Sequence, residues 1–160
     1  YLFRAAGAAQ TLIAALLAGD RQLTPAEREF ARRLGAALRQ AEILIDIERD
    51  VRRGRLYAPL QALEAAGIDP ASFAARPLDA AHLPFLEDWQ ARVGSELAAL
   101  PEALDSKVLR ATQRHGLVLA ILQAGWLERR PLQAAHRLTS SEPGSFARLW
   151  TAWRTALRHA

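Results

Sequence analysis

Apolar residues recur along the chain mainly at intervals of three and four, which is the spacing of one face of an α-helix. This pattern predicts long helices over residues 2–18, 25–52, 83–99 and about 103–129. A shorter piece from Pro131 to Leu138 and a last helix bearing Trp150 and Trp153 follow. No stretch alternates Val, Ile or Thr with polar residues as a half-buried strand does. The sequence therefore predicts an all-α fold, and we interpret residues 1–160 as a single helical domain.

Glycines, prolines and capping residues mark where the predicted helices begin and end. Thr24-Pro25-Ala26-Glu27 supplies an N-cap, a proline at the first helical position and a capping-box glutamate. Gly19 is placed to end the first helix in a left-handed conformation. Gly54 ends the long helix, and residues 55–59 read as an extended connector because the residue before a proline disfavours the helical region. Short helices are predicted from Pro59 to Ala66, closed by Gly67, and from Asp69-Pro70 to Pro77.

Composition narrows the possible functions. The chain has no cysteine, which excludes disulfides, thiolate metal sites and a cysteine nucleophile. Its 21 basic residues outnumber 17 acidic ones, and Lys107 is the single lysine, so the positive charge is almost entirely arginine. Arginine binds phosphate in a planar fork, although a general coding bias towards arginine explains the same composition. Because the arginines are interleaved with acids and no nucleic-acid-binding motif occurs, we expect no nucleic acid partner.

The longest uncharged run, Ala5 to Gly19, is shorter than the roughly 20 residues that cross a bilayer. We interpret it as a buried helix, and with no secretory signal we expect a cytoplasmic protein. The four tryptophans lie at core periodicity and are expected to pack inside. In the last helix, Arg148, Arg154 and Arg158 accompany tryptophan, so peripheral contact with a membrane is a further hypothesis.

Four polar residues form a row on the helix over 25–52. Arg39, Glu42, Asp46 and Asp50 are separated by three, four and four positions, so they line one helical face. Carboxylate oxygens suit Mg²⁺, which usually takes one or two protein carboxylates together with phosphate oxygens. Basic residues crowd the end of this helix, with Tyr57 just beyond: Arg49, Arg52, Arg53 and Arg55. The alternative is an exposed face on which Asp46 and Asp50 form ordinary salt bridges with Arg49 and Arg53.

The run from Ile43 to Pro59 resembles the second aspartate-rich motif of the squalene and phytoene synthases. That motif reads Gln-x-x-Asn-x-x-Arg-Asp-x-x-x-Asp followed by Gly-Arg-x-Tyr-x-Pro, and this chain has both aspartates and the whole of Gly54-Arg55-Leu56-Tyr57-Ala58-Pro59. The opening Tyr1 to Gly7 resembles the segment that precedes the motif in the family. This chain departs from the family pattern at Gln10, where the family has glycine, and at Arg39, Glu42 and Ile45.

The resemblance implies an isoprenoid-synthase-type helical bundle around a central apolar cavity, with Asp46 and Asp50 at its mouth. By this similarity the two aspartates hold Mg²⁺ and form the catalytic group together with Tyr57, while Arg55 and Tyr57 contact the prenyl diphosphate substrate and Tyr1 faces it from the neighbouring helix. The residues themselves add Glu42 as a candidate third ligand of the metal, and Arg49 and Arg53 as candidate binders of the diphosphate. The implied function is a transferase that condenses two prenyl diphosphates head to head. The alternative is a non-catalytic relative that serves as an assembly or lipid-binding factor. Because no acid pair precedes Tyr1, we expect the chain to be the downstream part of a longer domain.

Overall fold

The computed structural model describes residues 2–77, 79–100, 150 and 154, with side chains from residue 4 onward. These residues form α1 (Leu2–Ala18), α2 (Pro25–Arg52), α3 (Leu60–Ala65), α4 (Pro70–Ala75) and α5 (Leu83–Ala99), with a turn of 3₁₀-helix at Ala80–His82. No strand occurs in this part of the chain, and the predicted all-α class is confirmed. The helices predicted over 103–129, 131–138 and the C-terminus, apart from Trp150 and Arg154, lie outside the described residues.

The predicted helix ends are confirmed by their hydrogen bonds. At the start of α2 the Thr24 hydroxyl accepts from the Glu27 N–H at 3.2 Å, and the Glu27 carboxylate accepts from the Thr24 N–H at 2.8 Å. Gly19 has the expected positive φ of 63°. Asp69 caps α4 by accepting hydrogen bonds from the next turn. These three boundaries are therefore set by chemistry local to them, as the sequence predicts.

The main core lies where α2 meets α3, α4 and α5. Trp89 of α5 is only 3% exposed and its indole N–H donates to the Gln40 side-chain oxygen of α2 at 3.3 Å. Phe85 stacks edge-on against Phe73 of α4, with ring centroids 6.0 Å apart. The predicted packing role is confirmed for Trp89 and wrong for Trp150, which is 52% exposed.

Helices α1 and α2 approach so closely that their backbones touch. A methyl group on Gly35 would lie 2.4 Å from the Ala6 carbonyl oxygen, and one on Gly7 would lie 3.1 Å from the Arg32 carbonyl oxygen. Gln10 is buried at this contact, with its Cβ facing Gly35. Two glycines, one on each helix, therefore allow a spacing that side chains would prevent.

The opposite side of α1 is apolar and open to solvent. Its large side chains are exposed by 39% to 72%: Leu12, Ile13, Leu16 and Leu17. The expectation of a buried helix is therefore wrong for this face, because helical periodicity does not specify which side a neighbour covers. Among the described helices, none combines the length and the apolar character needed to cross a membrane.

A buried carboxylate at the start of α2 should make stability depend on pH. The hydrogen bonds from Arg21 are the largest cause that lowers the pKa of Glu27 from 4.5 to about 2, and hydrogen bonds from Thr24 add to it. A carboxyl group whose pKa is depressed on folding contributes stability above its unfolded pKa and loses it as the pH falls towards the folded value. The contribution of Glu27 to the free energy of unfolding should thus be complete above about pH 5 and disappear as the pH falls from roughly 4.5 to 2.

Urea denaturation at several pH values tests this. We expect Glu27→Gln to lower the free energy of unfolding by about 2 kcal/mol at pH 7, since it removes a charged hydrogen bond, and by little near pH 2. Glu29→Gln is the matched control, because Glu29 pairs with Arg32 at 3.3 Å but its side chain is 58% exposed. An equal loss for both variants, or a loss for Glu27→Gln that does not change with pH, would contradict the assignment.

Candidate functional site

The predicted row of acids lies on one side of α2 at the boundary of the core. Asp46 has a side chain that is 29% exposed, Asp50 is half-buried, and Glu42 is more open at 49%. The intervening Ile43 and Ile47 turn inward and are buried. We call the side of α2 that carries Arg39, Glu42, Asp46 and Asp50 the acidic face. Its carboxylates are therefore placed beside apolar residues, with one edge open to solvent.

Arginines of the same helix neutralise two of the three acids. Arg39 Nη1 donates to Glu42 Oε2 at 3.0 Å, and Arg49 forms an ion pair with Asp46. The pair of Asp46 and Arg49 is one of the salt bridges that the sequence leaves as an alternative, and the pair of Arg39 and Glu42 is an addition to it. The hydrogen bond with Glu42 is the main cause that raises the pKa of Arg39, and the negative charges of Glu42 and Asp50 act in the same direction. Exposed pairs of this kind contribute at most about 1 kcal/mol, so an ion or a diphosphate can displace them.

A tight turn directs the chain back after α2. Gly54 has a φ of 72°, a conformation that favours glycine, and the N–H groups of Arg53 and Arg55 both donate to the Asp50 carbonyl oxygen at 3.0 and 2.9 Å. Beyond this turn, Leu56 packs against the core and Ala58 is buried. We call residues 53–59 the connector, and its turn is anchored on the last residue of the acidic face.

Tyr57, an outward residue of the connector, lies beside the acidic face. Arg55 and Tyr57 are exposed while Leu56 and Ala58 turn inward, as in an extended segment whose side chains alternate. The guanidinium of Arg39 lies 5.3 Å from the centroid of the Tyr57 ring. Since Arg39 precedes Asp50 by three turns of helix, about 16 Å, the connector runs back along α2. The alternation places Arg55 on the same side of the connector as Tyr57.

The carboxylates of the acidic face can be compared with the ligands that Mg²⁺ usually takes. Within the described ranges, no three His, Cys, Asp or Glu side chains come together to hold a metal ion. Asp46 and Asp50, one helical turn apart, offer the one or two carboxylates that Mg²⁺ takes when phosphate oxygens complete its coordination. Their chemistry therefore fits a metal ion bound together with a diphosphate. The part of Glu42 as a third ligand stays a prediction, since its carboxylate pairs with Arg39.

The remaining predicted substrate-binding residues are arginines on the surface, with one exception. Arg53 and Arg55 are exposed, and the side chain of Arg49 is 56% exposed beside Asp46. Tyr1 lies outside the described residues. Sequence reasoning missed the contact between Arg39 and Tyr57, although the Gly54 turn and the short extended segment after it were the available signal.

A surface cavity of about 480 Å³ is found elsewhere, on another side of α2. Glu48 and Arg52 line it together with residues of the segment that follows α4, among them Arg76, Pro77 and Asp79. Charged side chains from both segments border this space, so it differs from the apolar cavity expected beside Asp46 and Asp50. The central cavity itself stays a prediction.

Comparison with known proteins agrees with the helical architecture and with the acid-bearing helix. The sequence model of the squalene/phytoene synthase family matches residues 1–138, and the chain belongs to that family. Its fold is accordingly the all-α isoprenoid-synthase fold. The chain matches no curated protein and no solved structure. Its general function is therefore squalene/phytoene synthase-like, and the match covers both the acidic face and the connector.

Proposed function

We propose that the protein is a transferase that condenses two prenyl diphosphates head to head in a reaction that depends on Mg²⁺. The observation that carries this proposal is the placement of Asp46 and Asp50 one turn apart, half-buried, beside the returning connector with Arg55 and Tyr57. Membership of the squalene/phytoene synthase family supports it. These residues combine metal-binding oxygens with groups that bind phosphate.

The first step of such a reaction is ionisation of one allylic diphosphate. The bond between carbon 1 and its oxygen breaks, and the electron pair leaves with the diphosphate. Mg²⁺, when bound, neutralises charge on the departing group. On this proposal Arg49, Arg53 and Arg55 bind the diphosphate oxygens as charged donors, and the Tyr57 hydroxyl donates a hydrogen bond. Apolar residues then shield the allylic cation from water.

The direct test is diphosphate release by the full-length protein with farnesyl or geranylgeranyl diphosphate. We expect release with Mg²⁺, loss of release after the metal is removed with EDTA, and recovery when Mg²⁺ is added back in excess. Substrate incubated with Mg²⁺ but without protein is the control. Absence of release with every divalent metal tried would remove the proposal.

A second candidate is a non-catalytic assembly or lipid-binding factor. The ion pairs on the acidic face favour it, because Glu42 and Asp46 already have cationic partners. Such a protein would bind a prenyl diphosphate without releasing diphosphate from it. Binding and release measured on the same preparation distinguish the two functions.

A further inference from the structure

We propose that Arg39 is a positioning residue, which holds the connector against the acidic face by its contact with Tyr57. The proposal rests on the function proposed above, because what Arg39 positions are two groups assigned to the diphosphate, Arg55 and Tyr57. In this role Arg39 contacts neither the metal ion nor the diphosphate. The helix supplies the anchor and the connector supplies the groups that are held.

The geometry shows a guanidinium held between two partners. On one side Arg39 Nη1 donates to Glu42 Oε2 at 3.0 Å, which fixes the guanidinium within its own helix. On the other side it lies 5.3 Å from the Tyr57 ring centroid, within the range of a cation–π interaction. The Arg39 side chain is only 37% exposed, so its apolar stem is covered as well. Arg39 therefore joins two segments that are eighteen positions apart in the sequence.

On its outward side the connector is held by the contact between Arg39 and Tyr57. Its turn is fixed by the two hydrogen bonds to the Asp50 carbonyl oxygen, and its inward side by Leu56 and Ala58. Tyr57 is 37% exposed, and in the described part of the chain its hydroxyl has no hydrogen-bond partner. The contact of the ring with Arg39 is thus a restraint on Tyr57 from the side of α2.

Restraining the connector matters for anion binding. A side chain that is already ordered loses less conformational entropy when it binds a ligand than one that must first be immobilised. With Arg39 in place, Tyr57 is held near the carboxylates and Arg55, two residues earlier in an extended segment, is held on the same side. Without it, both groups would have to be ordered by the diphosphate itself.

Limited trypsin digestion tests the contact independently of any function. Trypsin cleaves after Arg53 and Arg55 when the connector opens, and cleavage after Arg32 and Arg33 within α2 reports unfolding of the helix. We expect Arg39→Ala in the full-length protein to raise connector cleavage roughly two- to fivefold, the size of an exposed cation–π interaction, and to leave α2 cleavage unchanged. Peptide mass spectrometry over time gives the two rates.

The variants of the partner residue make the test specific. Tyr57→Phe keeps the ring face and should be cleaved like the wild type, whereas Tyr57→Leu should resemble Arg39→Ala. The double variant Arg39→Ala/Tyr57→Leu should be no more sensitive than either single one, because both remove the same contact. Arg39→Lys keeps the cation and should restore most of the protection. Arg92→Gln, which removes a 2.7 Å ion pair with Asp88 on α5, is the matched control and should have no effect.

A second measurement separates this proposal from the proposed function. Titration with inorganic diphosphate in the presence of Mg²⁺ should show roughly two- to fivefold weaker binding for Tyr57→Leu than for Tyr57→Phe. Unchanged connector cleavage in Arg39→Ala, or additive effects in the double variant, would overturn the role of Arg39. If cleavage changes as expected but the wild type binds no diphosphate, the role of Arg39 in holding the connector stands and the proposed function fails.

Discussion

Replacement of Asp46 by asparagine should lower Mg²⁺-dependent diphosphate release about 100- to 1000-fold, the loss typical when one charge-stabilising group is removed from an active site. The amide carries no charge and presents one oxygen in place of two, so it is a poor ligand for Mg²⁺. Release from farnesyl or geranylgeranyl diphosphate over a range of Mg²⁺ concentrations is the measurement. Saturating Mg²⁺ should recover only a small part of the lost rate.

The matched control for this variant is Asp88→Asn on α5. Asp88 pairs with an arginine as Asp46 does, but it lies on another helix and its side chain is 61% exposed. It should leave the release rate unchanged. Because the ion pair of Asp46 lies near the surface, the free energy of unfolding of Asp46→Asn should stay within about 1 kcal/mol of the wild-type value. A rate within threefold of the wild type in a folded Asp46→Asn protein would show that Asp46 does not hold the metal.

Replacement of Gly35 by alanine should cost about 3 kcal/mol of unfolding free energy. The added methyl group would lie 2.4 Å from the Ala6 carbonyl oxygen and 2.8 Å from its carbon, and these are backbone atoms that cannot rotate away. Helices α1 and α2 would have to separate. The midpoint of urea denaturation, with the slope of the transition checked for two-state behaviour, measures the loss.

Gly94→Ala is the matched control, and it should stabilise the protein where Gly35→Ala destabilises it. Gly94 is also helical, but nothing lies within 4 Å of the position that its methyl group would occupy. Alanine is the better helix former, so this variant should gain up to about 1 kcal/mol. Equal effects of the two substitutions would contradict the close approach of α1 and α2.

The ends of the helices could be predicted from the sequence because each depends on chemistry within a few residues. The Thr24 and Glu27 capping pair is an example, and Gly54 at the end of α2 is another. Which face of each helix packs against a neighbour could not be predicted in this way. The exposed face of α1 with Leu16 shows that an apolar period indicates a helix without indicating its neighbour. The same limit explains why Trp150 was expected in the core.

In the candidate site, too, some features could be predicted from the sequence and others could not. That Asp46 and Asp50 share a face follows from helical geometry, and the ion pair between Asp46 and Arg49 lies at a spacing that the sequence shows directly. The contact of Arg39 with Tyr57 depends on the path that the chain takes after Gly54, which residue spacing does not determine. Asp50 and Arg53 meet through their main chains, where the Arg53 N–H donates to the Asp50 carbonyl oxygen at 3.0 Å, and this contact is not the side-chain salt bridge that their spacing suggests.

The touching backbones of α1 and α2 also limit how the protein can move. Sliding or tilting of one helix on the other would press the peptide group of Ala6 into the main chain around Gly35. Because α2 is itself part of the main core, we expect α1 to move together with α2 and not independently of it. On the function proposed above, an opening for the prenyl chain would therefore lie in other segments.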